Sequence, residues 1–381
     1  MKRTIFDEDH DSFRASCRTF VDRQLRPHQE KHIANHEFGR DMWLALGKQD
    51  LLGLNVPEEY GGVGVNDARY SLILAEELSK LAFAYSSCVG IHVDCVAPYL
   101  VDLCTEDQKR RWLPKFCTGE LITAIAMTEP SGGSDLAALR TTAVRNGDDW
   151  IVNGSKTFIT NGYSADLVLV AARTSPEKRS HGITLFAVEA GMPGFERGRK
   201  LEKVGQPEAD TSELFFSDVA VPAENVIGHV DQGFAYMMQR LVAERMGAAV
   251  NNLAHARQIL SETLDYVKER KAFGQAIGSF QANKFRLAEL VTACEVTQAF
   301  VDACVLDEVT NTLSAVDAAK AKWWTAQVQN DVLDACVQLY GGYGYMAEYR
   351  VARAWSDARV SKIWAGSNEI MKELIGRDLG L

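Results

Sequence analysis

The sequence is poor in the features that mark membrane, secreted and nucleic-acid-binding proteins. Across 381 residues no stretch approaches 18 apolar residues, so we predict no membrane-spanning helix. The N-terminal segment MKRTIFDEDHDSFR turns acidic where a signal peptide would carry its apolar part, and we expect no export signal. Lys and Arg number 41 against 51 Asp and Glu, and the net charge of −10 disfavours nucleic acid and anionic lipid as partners.

Paired cysteine motifs are also missing, and the arrangement of the cysteines argues against disulfides. The eight cysteines are scattered, form no C-x-x-C pair and lie mostly within apolar helical patterns. Such residues behave as small buried hydrophobic groups that stay reduced. We therefore expect a reducing compartment, with the cytoplasm as the default.

Several catalytic and nucleotide-binding motifs are missing. No G-x-G-x-x-G opens a helix after a strand, and no P-loop, H-E-x-x-H or G-x-S-x-G occurs, which argues against nicotinamide, nucleotide-hydrolysing, zinc-protease and serine-hydrolase chemistry. His28, His32 and His36 share helical spacing. Because Pro27 precedes them and the segment is polar, we interpret them as a solvated face and predict no metal site.

The apolar spacing that is present predicts an α+β chain in three parts. Residues 1–120 repeat at helical period, residues 121–230 form short β-branched or aromatic runs between turn residues, and residues 231–381 return to the helical period. One long striped helix begins after Gly233, and further helices are expected at about 280–305, 312–341 and 348–360. The glycine-rich VPEEYGGVGVND should form an ordered loop between two helices.

Four segments have residue types that suit ligand binding. AMTEPSGGSD, residues 126–135, offers flexible glycines beside the hydroxyls of Thr128 and Ser134, and it suits a cofactor cradle and a structural turn equally well. Phe158 stands on a predicted strand. Arg270 ends the long helix as a cation suited to phosphate or to the helix dipole, and a glycine cluster follows Gln338.

Together, PEEYGGVG, AMTEPSGGSD, ERKAFGQ, QLYGGYGY and IWAGSNEIMKELIGR resemble the acyl-CoA dehydrogenase family along essentially the whole chain, and the long-chain enzymes most of all. The resemblance implies a helical N-terminal domain, a central β-barrel-like domain and a C-terminal four-helix bundle. It also implies FAD-dependent oxidation of a medium- or long-chain acyl-CoA to the trans-2-enoyl-CoA in fatty-acid β-oxidation. Electrons would pass to an electron-transferring flavoprotein, and the enzyme would be a homotetramer, a dimer of dimers.

The resemblance also assigns site residues. Ser134, Arg245, Ala365 and Gly366 would lie on the substrate side. The remaining assignments are FAD contacts, some made from a neighbouring subunit: Ile125, Ala126, Met127, Thr128, Ser134, Phe158, Ile159, Thr160, Arg270, Gln281, Gln338, Leu339, Gly341, Gly342, Ser367, Asn368 and Glu369.

The catalytic base occupies an unusual place. Many members carry it immediately before the Gly-Thr/Ser near the C-terminus, where this chain has Ala365. Long-chain and isovaleryl enzymes place it instead in a Glu-Arg pair on the long helix, which matches Glu244 and Arg245 here. Glu244 is two residues after Val242 of the apolar stripe, which places it about 200° further around the helix. Its carboxylate should therefore point away from the core and towards a cleft.

Three alternatives stay open from the sequence. A branched short-chain, isovaleryl-type dehydrogenase would share the base at Glu244. An acyl-CoA oxidase would use the same cofactor with oxygen as acceptor. The loss of a carboxylate at Ala365 also admits a catalytically inactive assembly subunit.

Overall fold

The N-terminal part of the chain is a set of short helices. The computed structural model describes residues 2–381. The N-terminal helices are α1 (Glu8–Phe20), α2 (Gln29–Asn35), α3 (Arg40–Gly47), α4 (Ala68–Leu81), α5 (Phe83–Gly90), α6 (Ala97–Leu103) and α7 (Glu106–Thr118). Side-chain caps begin α1 and α7, where Asp7 and Thr105 accept backbone N–H groups of the first turn. Residues Ile91–Val96 between α5 and α6 form a π-helix.

The glycine-rich break between α3 and α4 is ordered, as predicted. The backbone N–H groups of Val63 and Gly64 donate to the carbonyls of Gly53 and Val56 at 2.9 and 2.8 Å. A β-carbon at Gly62 would lie 2.1 Å from the Val56 carbonyl oxygen. Glycine is therefore required at this position by close backbone packing.

The interpretation of the three N-terminal histidines as a solvated face is wrong for one of them. His28 and His36 are exposed, but His32 is buried and its Nδ1 lies 2.8 Å from the Tyr85 hydroxyl. α2 ends at His36 in a left-handed conformation, so the three imidazoles do not share one helical face. Tertiary packing against Tyr85 accounts for the burial.

The central part is an eight-stranded sheet. Its strands are β1 (Thr123–Ala126), β2 (Thr142–Asn146), β3 (Asp149–Thr160), β4 (Leu167–Arg173), β5 (Ile183–Glu189), β6 (Phe195–Lys200), β7 (Thr211–Pro222) and β8 (Val226–Ile227). The order is β6-β7-β3-β2-β4-β5-β8, and β1 pairs in parallel with β4. β4 and β5 are buried on both faces, which is why their sequences are almost continuously apolar.

The C-terminal part is helical again, and the predicted α+β architecture is confirmed. Its elements are α8 (Gly233–Glu269), β9 (Lys271–Ala272), β10 (Gln275–Ala276), α9 (Gln281–Val309), α10 (Ala315–Tyr340), α11 (Arg350–Ala358) and α12 (Asn368–Asp378). One core lies between α8, α9 and α10, and it includes the stripe residues Met246, Leu253 and Leu260 of α8. Among residues 2–381, no helix combines the length and apolar character needed to cross a bilayer.

Buried hydrogen bonds fix the register of α8 against α10. The Asn252 side chain donates to Thr325 Oγ1 at 3.2 Å, and Gln329 Nε2 lies 3.0 Å from His255 Nδ1. All four residues are buried. Because sliding either helix would leave these polar groups without partners, the two helices have one favoured alignment.

A buried ion pair ties the turn after β1 to β3. Lys156 Nζ lies 2.9 Å from Glu129 Oε1, and the two residues are 0% and 4% exposed. The Glu129 carboxylate also accepts the backbone N–H groups of Arg140 and Thr141 at 2.6 and 2.9 Å. Burial alone would raise the pKa of Glu129, but Lys156 and Thr141 outweigh it and lower that pKa to about 2.

Lys156→Met should destabilise the fold by about 3–5 kcal/mol at neutral pH, because it leaves a buried carboxylate without its cation. Chemical denaturation measures the loss, and Lys156→Met/Glu129→Gln should recover much of it. The lowered pKa means that this stabilisation is present above about pH 4.5 and is lost as the pH falls towards 2. A loss below about 1 kcal/mol in the single variant would contradict this account.

Candidate active site

The side chain of Glu244 lies where α8 meets the π-helix and α6. Its Oε1 atom is buried and has no hydrogen-bond partner within residues 2–381. Burial raises the pKa of Glu244 to about 7, although the charges of Arg245 and Arg240 act to lower it. A carboxylate with such a pKa can accept and release a proton near neutral pH, which is what a general base requires.

The groups around Glu244 come mainly from the π-helix and α6. Its charge acts on the Cys95 thiol and on the hydroxyl of Tyr99, a residue that is 0% exposed. One turn later on α8, a β-carbon at Gly247 would lie 4.0 Å from Asp94 Oδ2. Glu244 as a whole is half-buried, but its Oε1 atom faces neighbouring helices rather than bulk water. π-Helices often occur at such functional positions.

The turn before α12 lies against the same end of α8. Ala365 and Gly366 both have left-handed backbone conformations, with φ of 50° and 85°. A β-carbon at Gly366 would lie 2.5 Å from Met371 Cε and 4.0 Å from Arg245 Nε. The structure thus brings together Arg245 and Gly366, two of the residues that the sequence placed on the substrate side.

The N-terminus of α12 follows this turn directly. Ser367 caps the helix by accepting the Ile370 backbone N–H at 3.4 Å. Asn368 is buried and its Oδ1 has no partner within the described chain, whereas the side chain of Glu369 is exposed. A buried polar atom without a partner beside a helix N-terminus is suited to a polar ligand.

The first group of predicted cofactor contacts gathers at the end of β1. The Thr157 N–H donates to the Thr128 carbonyl at 3.0 Å, so residues 125–128 lie beside residues 158–160. Phe158 sits in a break of the β3–β7 register with φ of 59°, and its side chain is 69% exposed. The break turns the aromatic ring outward, which excludes a core role for this phenylalanine.

Not every side chain of this first group can reach a ligand. Ala126 and Ile159 belong to the core of the sheet, so only their backbone atoms could face a cofactor. Ile125, Met127, Thr128 and Thr160 are half-buried. Ser134 is exposed on the loop that follows.

The second group lies in a surface cavity of the C-terminal part, of about 470 Å³. Arg270, Gln338, Leu339, Gly341 and Gly342 all line this cavity. Arg270, the residue that ends α8, is exposed, so its guanidinium group is open to a ligand. The resemblance grouped these residues with Gln281, and the structure brings the five, without Gln281, into one cavity.

Two further features complete the description of this second group. Arg270 lies over the Tyr343 ring at 5.5 Å, while Gln281, the first residue of α9, is not among the cavity-lining residues. None of the residues of the first group lines this cavity. The predicted FAD contacts of one chain therefore fall into two half-sites.

Sequence reasoning missed two buried lysines. Lys156 supports the turn after β1, and Lys322 of α10 donates to the Gly366 carbonyl oxygen. Both are 0% exposed. For Lys322 the available signal was a lysine among the alanines of a helix, whereas Lys156 stands between the polar Ser155 and Thr157 and its sequence neighbours gave no signal.

The chain was compared with known families and structures. It matches the family models for the N-terminal domain (residues 7–120), middle domain (residues 124–219) and C-terminal domain (residues 231–380) of acyl-CoA dehydrogenase. It is 46% identical to the mitochondrial long-chain specific acyl-CoA dehydrogenase of Sus scrofa, over 99% of this chain and 88% of the relative.

Solved structures agree with these matches. A crystal structure of acyl-CoA dehydrogenase from Geobacillus kaustophilus is 44% identical, with a TM-score of 0.98 over 100% of both chains. A glutaryl-CoA dehydrogenase from Mycobacterium smegmatis in complex with FADH2 is 26% identical, with a TM-score of 0.92 over 98% of this chain and 95% of that one. Its three matched regions cover nearly the whole chain, and its unpartnered glutamate lies where α8 of the C-terminal region meets the π-helix and α6 of the N-terminal region; this chain belongs to the acyl-CoA dehydrogenase family of oxidoreductases.

Proposed function

We propose that the protein oxidises a medium- or long-chain acyl-CoA to the trans-2-enoyl-CoA in fatty-acid β-oxidation, with Glu244 as the catalytic base. One observation carries the proposal: Glu244 Oε1 is buried without a partner. Its neighbour on α8, Arg245, lies beside the Ala365–Gly366 turn, since a β-carbon at Gly366 would be 4.0 Å from Arg245 Nε. A structural carboxylate would have its hydrogen bonds satisfied. An unsatisfied one is available to a substrate proton.

The proton transfer follows from the surroundings of Glu244. The ionised carboxylate removes a proton from the α-carbon of the thioester and holds it on one of its own oxygens. Because burial favours the neutral carboxylic acid, the product of this transfer is stabilised in the site. Cys95 and the buried Tyr99 lie close enough for the charge of Glu244 to act on them, so protein groups occupy part of its surroundings.

The Ala365–Gly366 turn supplies hydrogen-bond donors for the substrate. Within residues 2–381, the N–H of Ala365 takes part in no hydrogen bond. We propose that it donates to the thioester carbonyl oxygen, where negative charge develops as the α-proton leaves. A backbone donor does not depend on the side chain, so alanine at this position removes the usual base without removing the donor.

The residues present fit FAD as the cofactor. Gly341 and Gly342 have no atom within 4 Å of a β-carbon position, the exposed Arg270 suits a pyrophosphate, and the outward ring of Phe158 suits an aromatic system. When bound, FAD accepts the hydride from the β-carbon. The residues that would hold it are those of the two half-sites and the N-terminus of α12. We propose that an electron-transferring flavoprotein is the next acceptor.

The separation of the half-sites supports a homotetramer, a dimer of dimers, in which each cofactor is shared by two subunits. Phe285 and Val296 are 59% and 65% exposed and lie about three helical turns apart on the same side of α9. Exposed apolar side chains of this kind on a single chain suit burial against another copy. The eight free thiols support a reducing compartment, for which we propose the cytoplasm.

Glu244→Gln should fold and retain FAD but lose dehydrogenation by a factor of about 10² to 10⁴ or more, because the amide cannot accept the α-proton. Anaerobic stopped-flow bleaching of the flavin by an acyl-CoA measures the step, and Glu120→Gln at an exposed glutamate is the control. Near-normal bleaching in Glu244→Gln would contradict the assignment. Absence of bleaching in the wild type would favour the inactive-subunit alternative.

A panel of acyl-CoAs from short to long, including isovaleryl-CoA, distinguishes the remaining alternatives in the same assay. Preference for longer straight chains is expected. Hydrogen peroxide release at the rate of turnover, without any electron-transferring partner, would instead identify an oxidase.

The rate of flavin bleaching should rise with pH and reach half its maximum at about pH 7, because Glu244 acts only when ionised. A solvated glutamate would place the midpoint near 4.5.

The raised pKa of Glu244 also makes a prediction about stability: the contribution of Glu244 is full below about pH 4.5 and is lost as the pH rises through 7. Glu244→Gln should therefore be more stable than the wild type at pH 8, by about 1–3 kcal/mol in urea unfolding; equal or lower stability would contradict the desolvation argument.

Arg270→Met should lower the FAD content of the purified protein by about tenfold or more at limiting FAD, because it removes the cation of the second half-site. Lys268→Met is the matched control, since Lys268 lies on the same exposed helix end and pairs with Asp265. Absorbance of the bound flavin measures the content. Equal FAD retention in both variants would contradict the assigned role of Arg270.

A further inference from the structure

Lys322 is a buried lysine that binds a backbone oxygen of the active-site turn. It lies on α10, is 0% exposed and donates from Nζ to the Gly366 carbonyl oxygen. Burial, followed by the nearby charge of Arg245, lowers its pKa to about 7. The charge of Glu369 acts in the opposite direction, but no carboxylate forms an ion pair with Lys322 within residues 2–381, so stabilisation of the fold alone does not explain a lysine at this position.

The turn that Lys322 holds is conformationally costly. Ala365 has a β-carbon and still adopts φ of 50°, which is disfavoured for a residue other than glycine, and Gly366 follows with φ of 85°. Such backbone conformations persist only where the surroundings determine them. The contacts that determine this one are the Lys322 hydrogen bond and the packing of Gly366 against Met371.

α10 therefore positions both Glu244 and the Ala365–Gly366 turn. The Asn252–Thr325 hydrogen bond fixes α8, and with it Glu244, against α10. Lys322, one turn before Thr325, fixes the Ala365–Gly366 turn against the same helix. The distance between the base and the donors of the turn is set through α10, although α10 contributes no group to the proton transfer itself.

We propose that Lys322 is a positioning residue, which holds the Gly366 carbonyl so that the Ala365 N–H is aimed at the thioester oxygen of the substrate. This inference rests on the proposed function, because it concerns how strongly the site polarises that thioester. Loss of the contact would let the turn relax and would weaken the stabilisation of negative charge on the oxygen.

The test uses a 3-oxoacyl-CoA, 3-oxobutyryl-CoA, whose α-carbon is acidic and whose β-carbon is already oxidised. Its α-proton leaves to a base, and the absorbance of the resulting enolate, titrated on the FAD-containing enzyme, gives the pKa of the bound ligand. In the wild type that pKa should lie below the value of the free ligand. In Lys322→Met it should rise by about one to two pH units, since a misplaced donor costs on the order of tenfold to a hundredfold.

Lys320→Met is the matched control, because Lys320 lies on the same helix and pairs with Asp317 near the surface. It should leave the pKa of the bound ligand unchanged. FAD content, ligand affinity and melting temperature are measured for both variants. A change in these without a change in the ligand pKa would show a merely structural role and would overturn the inference.

Two further outcomes are decisive. Lys322→Gln keeps an N–H donor and should shift the pKa of the bound ligand by an intermediate amount. If neither Lys322 variant folds, Lys322 is needed for the stability of the fold as a whole, and the inference is overturned. If the wild type itself does not lower the ligand pKa and is not bleached by acyl-CoA, the proposed function fails. If the wild type does both and Lys322→Met behaves identically, only the role of Lys322 fails.

Discussion

The desolvation of one carboxylate is the constraint on which the rest of the site depends. Glu244 must become charged and neutral in turn, and it does so among helices rather than in water. A buried charge without a partner lowers the stability of the fold, and proteins retain such a residue mainly where function requires it. The surrounding elements then have to hold the substrate groups within reach of that carboxylate.

The structure meets this demand by fixing backbone segments with buried polar contacts. Lys156 and Glu129 hold the turn beside Phe158, and Lys322 holds the turn at Gly366. In both places a lysine inside the protein donates to a backbone oxygen, that of Met127 for Lys156 and that of Gly366 for Lys322. Rigid support of this kind lets backbone donors face a ligand without reorganising during the reaction.

Much of the fold was predictable because the period at which apolar residues recur shows which face of a helix or strand is buried. The stripe through Met246 and Leu253 predicted the long helix, and the alternation to short β-branched runs predicted the sheet. Motif order over the whole chain then predicted the family, and with it a base at Glu244 in place of Ala365. The domain boundaries at about residues 120 and 230, and the roles of individual site residues, stay predictions.

Other features could not be predicted, because the type of a residue does not show which distant residue it will contact in the folded chain. His32 looked like one of three solvated imidazoles, yet its bond to Tyr85 depends on a helix more than fifty residues later. Lys322 looked like an ordinary helical lysine, and its partner is a carbonyl of a distant turn. The burial of Glu244 likewise depends on a π-helix that no apolar period reveals.

Difference infrared spectroscopy across a pH titration tests the central claim most directly, because protonated carboxyl groups give a C=O stretching band that ionised ones lack. Burial also raises the pKa of Asp94 to about 7 and that of Glu308 to about 8, so the comparison needs the Glu244→Gln variant. The account predicts a carboxyl band that disappears with a midpoint near pH 7 in the wild type and is missing from Glu244→Gln. Identical titrations in the two proteins would contradict it.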